Sequence, residues 1–161
     1  MYPEILYVMV EDLFDACTEQ NLKLALAESC TGGLIAGCVT AVAGSSDILD
    51  RGFVTYSNAA KAEMLCVDED LIETHGAVSE KVAIAMAEGA LMNSEAGITL
   101  SVTGIAGPGG GTDDKPVGLV HMAVAREGQA THHQRHVFKG DRERVRIQTV
   151  ESGLKLLLMN A

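Results

Sequence analysis

The 161-residue sequence contains no tryptophan and few other aromatic residues, with three tyrosines and three phenylalanines. Apolar residues still make up 47% of the chain and charged residues 21%, so small and aliphatic side chains must build the core. This composition favours close-packed helices on a sheet over an all-β sandwich. The length suits one unit with a substantial core, and we expect residues 1–161 to form a single domain.

Positive charge is also scarce. Twelve lysines and arginines face 22 aspartates and glutamates, which gives a formal net charge of −10 at pH 7. Proteins that bind nucleic acid through its phosphates need a basic surface, so this balance argues against nucleic acid as a partner. It is compatible with a small anionic ligand, because a few local groups can outweigh the overall field.

Long apolar runs and export signals are missing as well. No apolar stretch is long enough to span a bilayer, and no secretory leader follows Met1. No Cys/His spacing matches a zinc site, and four cysteines lack paired spacing: Cys17, Cys30, Cys38 and Cys66. We therefore expect a cytoplasmic protein with free thiols, no membrane partner, no metal and no cofactor.

What the sequence does contain is an alternation of strand and helix patterns. Strands are predicted at residues 22–28, 52–57 and 97–103, followed by a hairpin of residues 119–126 and 130–138. Helices are predicted at residues 3–20, 31–43, 58–65, 69–74, 79–93 and from 141 to the end. Three strand–helix units followed by a hairpin predict a three-layer α/β/α fold with a mixed, mostly parallel sheet.

Hydroxyl side chains stand at the ends of three predicted strands. Ser29 ends the first, Tyr56 and Ser57 end the second, and Thr103 ends the third. Each one alone is better explained as a strand terminator or a helix cap. Because ligands of open α/β sheets bind outside the carboxyl ends of the strands, the three together predict a site.

Ser29 lies where a strand turns into a helix. Backbone N–H groups of the turn Ser29-Cys30-Thr31-Gly32-Gly33 can stabilise an oxyanion, and the two glycines let a ligand approach the backbone. Two alternatives stay open: Ser29 as a plain N-cap, and Cys30 as the nucleophile, since helix N-termini lower thiol pKa values. Cys30 can equally be a small buried apolar residue.

A serine nucleophile needs a base, and Lys61 is the stronger candidate. The histidines have no clear claim: His75 lies in a predicted loop, and the others, His121, His132, His133 and His136, fall in or near the hairpin, where a solvated strand face explains them. Lys61 lies in the first turn of a predicted helix, where the dipole disfavours a cation by roughly 0.3–1 kcal/mol, too little to lower the lysine pKa far. Burial must supply the rest. The alternative is a solvent-facing lysine with no role.

Two further segments are candidates for binding an anion. The glycine-rich loop 104–118, which includes Gly104 and Gly107, can wrap an anion with backbone N–H groups, although it is not a P-loop. Arg142 and Arg146 lie near the start of the last helix, where positive charge works against the dipole and a bound anion would relieve it. The alternative for these arginines is surface pairing with Asp141, Glu143 or Glu151.

Six motifs together resemble the CinA C-terminal domain family: AESCTGG at 27–33, GSSDILDRGFVTYSNAAK at 44–61, HGAVSE at 75–80, SVTGIAGPGGG at 101–111, KPVGLV at 115–120 and GDRERVR at 140–146. Members of that family are nicotinamide-nucleotide amidohydrolases. The resemblance implies that Ser29 is the nucleophile and Lys61 its general base, and that Tyr56 and Thr103 help to organise the pair. It also implies that an arginine of the GDR segment belongs to the site, Arg142 being the closest match, and it makes a homodimer plausible.

The expected function is therefore deamidation of nicotinamide mononucleotide, with a small-molecule nucleotide as the partner. The predicted substrate-binding residues are Cys30, Thr31, Gly32, Gly33, Gly104, Gly107, Arg142 and Arg146. Two alternatives stay open: a nucleotide-binding module without catalysis, and a Ser/Lys amidase that acts on another carboxamide.

Overall fold

A five-stranded mixed sheet forms the centre of the fold, as described by a computed structural model covering residues 1–161. The strands are β1 (Leu24–Glu28), β2 (Leu49–Val54), β3 (Ile98–Gly104), β4 (Leu119–Arg126) and β5 (His132–Val137), in the spatial order β2-β1-β3-β4-β5. β1 pairs in parallel with β2 and β3, whereas β4 is antiparallel to both β3 and β5. Only β4 therefore runs against the common strand direction.

Helices cover both faces of the sheet. The helices are α1 (Glu4–Glu19), α2 (Leu34–Thr40), α3 (Asn58–Leu65), α4 (Glu69–His75), α5 (Glu80–Met92) and α6 (Arg142–Asn160). α1, α2 and α6 pack on one face around the larger hydrophobic core, and α3, α4 and α5 lie on the other. This arrangement confirms the predicted α/β/α layers and the mixed sheet. No helix is both long enough and apolar enough to cross a membrane.

The alternation of residues along β3 divides its two faces. Ile98, Leu100 and Val102 enter the larger core, while the intervening hydroxyls point towards α5. Thr99 donates a hydrogen bond to the Ala87 carbonyl at 2.7 Å, and Ser101 donates to the Ala83 carbonyl at 2.5 Å. Buried hydroxyls are thereby satisfied, and small side chains let α5 lie close to the sheet.

Two predicted boundaries are wrong at places that matter for the site. The helix predicted over 31–43 begins only at Leu34, because Gly32 and Gly33 have φ values of +59° and +102° and keep residues 29–33 in a turn. The second strand ends at Val54 rather than at Ser57. Ser57 instead caps α3, accepting a hydrogen bond from the Ala60 N–H.

The histidines were also partly misjudged from the sequence. His75 is the last residue of α4 rather than part of a loop. The His121 ring, expected on a solvated strand face, is only 8% exposed, and its Nδ1 lies 2.8 Å from Nε2 of His133. The register explains this burial, since His121 shares the α5 face of β4 with Ala123 and Ala125, which pack against α5.

Burial lowers the pKa of His121 to about 4 from its ordinary value of 6.5. As the pH falls below 6.5, the His121 ring binds a proton in the unfolded chain before it does so in the folded chain, and this protonation favours unfolding. The stability associated with the neutral ring is therefore fully present above pH 6.5 and is lost as the pH falls towards 4. We expect the free energy of unfolding to lose up to about 1.4 kcal/mol per pH unit from this group in that window. In urea titrations across the window, His121→Phe should flatten the pH dependence, whereas the exposed His132→Phe should not. Equal slopes for the wild type and His121→Phe would contradict this assignment.

Candidate active site

Ser29 and Lys61 meet at the carboxyl end of β1. Ser29 follows directly after that strand, and α3 carries Lys61 back over it, so that the Lys61 Nζ lies 3.0 Å from the Ser29 Oγ. The Thr55 carbonyl, at 2.8 Å from Nζ, holds the amine from the other side. Two residues separated by 32 positions thus form a hydrogen-bonded pair.

Lys61 is buried without a carboxylate partner. Its residue is 1% exposed, which excludes the alternative of a solvent-facing lysine. Burial lowers the pKa of the amine from its ordinary value of 10.5, because the charged form loses its hydration. The ion pairs of the chain, Arg51–Asp50, His133–Glu80 and Lys155–Glu151, do not include Lys61. Burial and the lack of a carboxylate partner therefore both shift the amine towards its neutral form, which can accept a proton.

Cys30 has the character of a core residue. It belongs to the larger hydrophobic cluster, and burial raises the pKa of its thiol to about 12. A thiol with that pKa supplies almost no thiolate at neutral pH. The structure therefore favours a packing role for Cys30 over a nucleophilic one. The N-cap alternative for Ser29 is wrong, because the cap position of α2 is Gly33.

Tyr56, Thr103 and Arg142 surround the pair without hydrogen-bonding to it. The Arg142 guanidinium donates to the Gly107 carbonyl at 2.9 Å and to the Tyr56 hydroxyl at 3.0 Å. The Thr103 hydroxyl donates to the Ala77 carbonyl at 2.9 Å. The predicted roles of Tyr56 and Thr103 in organising the pair stay predictions.

A pocket of about 220 Å³ brings these side chains together. Its lining includes seven of the predicted site residues: Ser29, Cys30, Tyr56, Lys61, Thr103, Gly104 and Arg142. The remaining predicted residues, Thr31, Gly32, Gly33, Gly107 and Arg146, lie outside the lining. Asn58, the first residue of α3, also lines the pocket and was not predicted.

The two arginines near the start of α6 have different surroundings. Arg142 lines the pocket, whereas Arg146 donates to the carbonyls of Cys30 and Thr31 at 3.2 and 2.9 Å and so braces the serine turn. Neither takes part in an ion pair, so the predicted alternative of surface pairing is wrong. In a chain with a net charge of −10, two guanidiniums held only by neutral acceptors indicate a local preference for an anion.

Glu28 is the residue that sequence reasoning missed. The last residue of β1, it is 1% exposed and accepts four hydrogen bonds from the turn and from the start of α2. A signal was available, since a carboxylate in a short apolar strand is costly to bury unless donors follow closely. The glycine turn that opens a helix five residues later is such a source of donors.

Some backbone N–H groups of the serine turn already have a hydrogen-bond acceptor, and others do not. The Gly32 N–H donates to the Ser29 carbonyl and the Gly33 N–H to the Glu28 carboxylate. The N–H groups of Cys30 and Thr31 donate to no other residue. Cys30 lines the pocket, whereas Thr31 is fully buried and lies outside the lining, so the Cys30 N–H is the free donor of this turn that belongs to a pocket residue.

Comparison with known proteins places this arrangement in a family. Residues 7–160 match the CinA C-terminal domain. The chain is 47% identical over 150 residues to a putative competence-damage inducible protein of Caldicellulosiruptor bescii, covering 93% of this chain and 36% of that protein. It is 55% identical over 139 residues to a CinA-like protein of Geobacter sp. (strain M21), covering 86% and 33%. The chain thus spans about a third of the length of the curated relatives it matches.

Solved structures agree with this assignment. The competence/damage inducible protein CihA from Agrobacterium tumefaciens superposes with a TM-score of 0.97 at 44% identity, covering 99% of this chain and 97% of that one. A CinA superfamily protein from Escherichia coli superposes with a TM-score of 0.93 at 34% identity, covering 100% and 94%. On the sequence match and the shared fold, the chain belongs to the CinA C-terminal domain family.

Proposed function

We propose that this chain is a nicotinamide-nucleotide amidohydrolase, which converts nicotinamide mononucleotide to nicotinate mononucleotide and ammonia. The observation that carries the proposal is the buried Lys61 amine, 3.0 Å from the Ser29 hydroxyl and free of any carboxylate. A lysine with a pKa lowered by burial is a suitable base for a serine nucleophile. The nucleotide substrate comes from the family resemblance and from the unpaired Arg142. A homodimer and a cytoplasmic location also stay predictions.

The first chemical step joins Ser29 to the substrate. Neutral Lys61 takes the Ser29 proton while Oγ attacks the carboxamide carbon, and the carbonyl oxygen becomes an oxyanion. The free N–H group of Cys30, which lines the pocket, is the donor of the serine turn that can bind this charge. Arg146 holds the carbonyls of Cys30 and Thr31 and keeps their peptide groups in place.

The second step releases ammonia. Protonated Lys61 returns its proton to the leaving nitrogen as the C–N bond breaks, which leaves an ester between the nicotinoyl group and Ser29. Lys61 is then neutral again and can take a proton from a water that attacks this ester; it returns that proton to the Ser29 Oγ as the ester bond breaks, which releases nicotinate mononucleotide. One lysine therefore serves both halves of the reaction, and this requires the lowered pKa that burial provides.

Arg142 is the group best placed to bind the substrate phosphate. It lines the pocket, and its present partners are a carbonyl and a phenol, which a phosphate can replace. We expect Arg142→Met to lower kcat/KM for nicotinamide mononucleotide by about 10- to 100-fold, the value of a charged hydrogen bond. For nicotinamide riboside, which lacks the phosphate, the loss should be much smaller.

Arg144→Met is the matched control, because Arg144 lies on the same helix outside this pocket. Both substrates should react with the control as they do with the wild type. Equal losses on the phosphorylated and unphosphorylated substrates in Arg142→Met would mean that Arg142 does not act through the phosphate.

The experiment that tests the proposed function compares several carboxamides with purified wild-type protein. Nicotinamide mononucleotide, nicotinamide riboside, nicotinamide, asparagine and glutamine are each incubated with the enzyme, and ammonia is measured. Release chiefly from the mononucleotide supports the proposal. Release from another carboxamide alone would identify a different amidase, and saturable binding of the mononucleotide without release would identify a binding module.

A further inference from the structure

A buried carboxylate directly precedes the nucleophile. The Glu28 Oε2 accepts hydrogen bonds from the Thr31 hydroxyl at 2.6 Å, the Gly33 N–H at 3.0 Å and the Ile35 N–H at 3.1 Å. Its Oε1 accepts from the Ala36 N–H at 2.8 Å. No lysine, arginine or histidine forms an ion pair with it. All of its partners belong to the six residues that follow Ser29 and Cys30.

Burial of such a group is costly unless donors replace the lost water. The first N–H groups of a helix have no partner within the helix, and the helix dipole adds positive potential there. Glu28 takes up these donors at the start of α2, and an ionised carboxylate has the acceptor capacity for all four bonds. Because Glu28 belongs to β1, these bonds fasten the turn and α2 to the sheet.

The serine turn is therefore fixed on two sides. Glu28 binds it from within, and Arg146 binds the carbonyls of Cys30 and Thr31. Between these attachments, the Ser29 Oγ lies 3.0 Å from the Lys61 Nζ, and the N–H group of the pocket residue Cys30 stays free.

We propose that Glu28 is a positioning residue, which holds Ser29 beside its base Lys61 and holds the free N–H group of Cys30 for the oxyanion; this rests on the function proposed above. The carboxylate does not touch the reacting atoms and acts through the turn. A displacement of about 1 Å in such a group can cost about a hundredfold in rate. Substrate binding by Arg142 does not depend on the turn, so the loss appears in kcat rather than in KM.

Glu28→Gln tests the proposal with almost no change in shape. The side-chain NH₂ of glutamine cannot accept a hydrogen bond, so it faces at least one backbone N–H and loosens the turn. We expect kcat to fall about 10- to 100-fold per folded enzyme, with KM for nicotinamide mononucleotide within about twofold of the wild type. Circular dichroism and thermal melting give the folded fraction.

Thr31 supplies a second, milder pair of variants. Thr31→Val removes the hydroxyl that donates to Glu28 and keeps the shape, and kcat should fall by about 3- to 10-fold. Thr31→Ser restores the hydroxyl and should restore kcat. A merely structural bond would lower the melting temperature and leave kcat per folded enzyme unchanged, and this result would overturn the proposal.

A substrate-independent probe separates this proposal from the proposed function. A fluorophosphonate reacts with an activated serine: the Oγ–P bond forms, fluoride leaves, and Lys61 takes the hydroxyl proton. Slower labelling of Ser29 in Glu28→Gln than in the wild type supports positioning, even where the mononucleotide releases no ammonia. Equal labelling rates in the two folded proteins would overturn it, whatever the ammonia assay shows.

Discussion

Replacing Lys61 with methionine is expected to lower kcat for ammonia release by at least about a thousandfold while the chain stays folded. Methionine fills similar space but cannot take the Ser29 proton, so the hydroxyl loses its base at 3.0 Å. Initial rates with nicotinamide mononucleotide, measured with Lys81→Met as an exposed-lysine control, give the effect. A folded Lys61→Met protein that keeps a tenth or more of the activity would exclude Lys61 as the base.

The same substitution is expected to leave the protein as stable as the wild type or more stable. Burial lowers the pKa of Lys61, so the folded chain disfavours the protonated amine. Because the unfolded chain holds this proton at neutral pH, burying Lys61 lowers the free energy of unfolding. Methionine removes that cost.

In the wild type, kcat/KM should rise with pH as Lys61 loses its proton, with a midpoint below the ordinary lysine pKa of 10.5. A rate that does not change with pH would contradict this.

The second large effect is expected from the neighbouring pair Ser29 and Cys30. Ser29→Ala should lower kcat by about ten thousandfold or more, because no other side chain in the pocket hydrogen-bonds to the Lys61 amine. Cys30→Ala should stay within about tenfold of the wild type, since its thiol has a pKa of about 12 and its backbone N–H is unchanged. Steady-state rates of the two purified variants decide between them. An active Ser29→Ala beside an inactive Cys30→Ala would move the nucleophile to Cys30.

The convergence of the site could be predicted because it follows from topology. In a sheet with parallel neighbouring strands, the carboxyl ends of β1 and β3 lie at one edge, so Ser29, which follows β1, and Thr103, near the end of β3, were expected together. Lys61 followed from the same logic, since the helix after β2 begins at that edge. Its burial could not be read from the sequence, because the turn of α3 that faces the pocket depends on where β2 ends.

The features of the site that were not predicted from the sequence depend on individual hydrogen bonds and backbone angles. Glu28 looks like a polar strand end until its four donors are seen. The helix predicted from residue 31 begins later, because the positive φ values of Gly32 and Gly33 end any helical pattern there. Arg142 and Arg146 are four residues apart on one helix, and only their partners separate the pocket arginine from the one that braces the turn.

We propose that Ser29 carries out the hydrolysis of the carboxamide of nicotinamide mononucleotide. The most direct test is ammonia release from that nucleotide by purified wild-type protein without added metal, with Ser29→Ala measured in parallel. The expected result is ammonia and nicotinate mononucleotide in equal amounts from the wild type, and neither product above background from the variant. No release by folded wild-type protein, or equal release by both proteins, would contradict the claim.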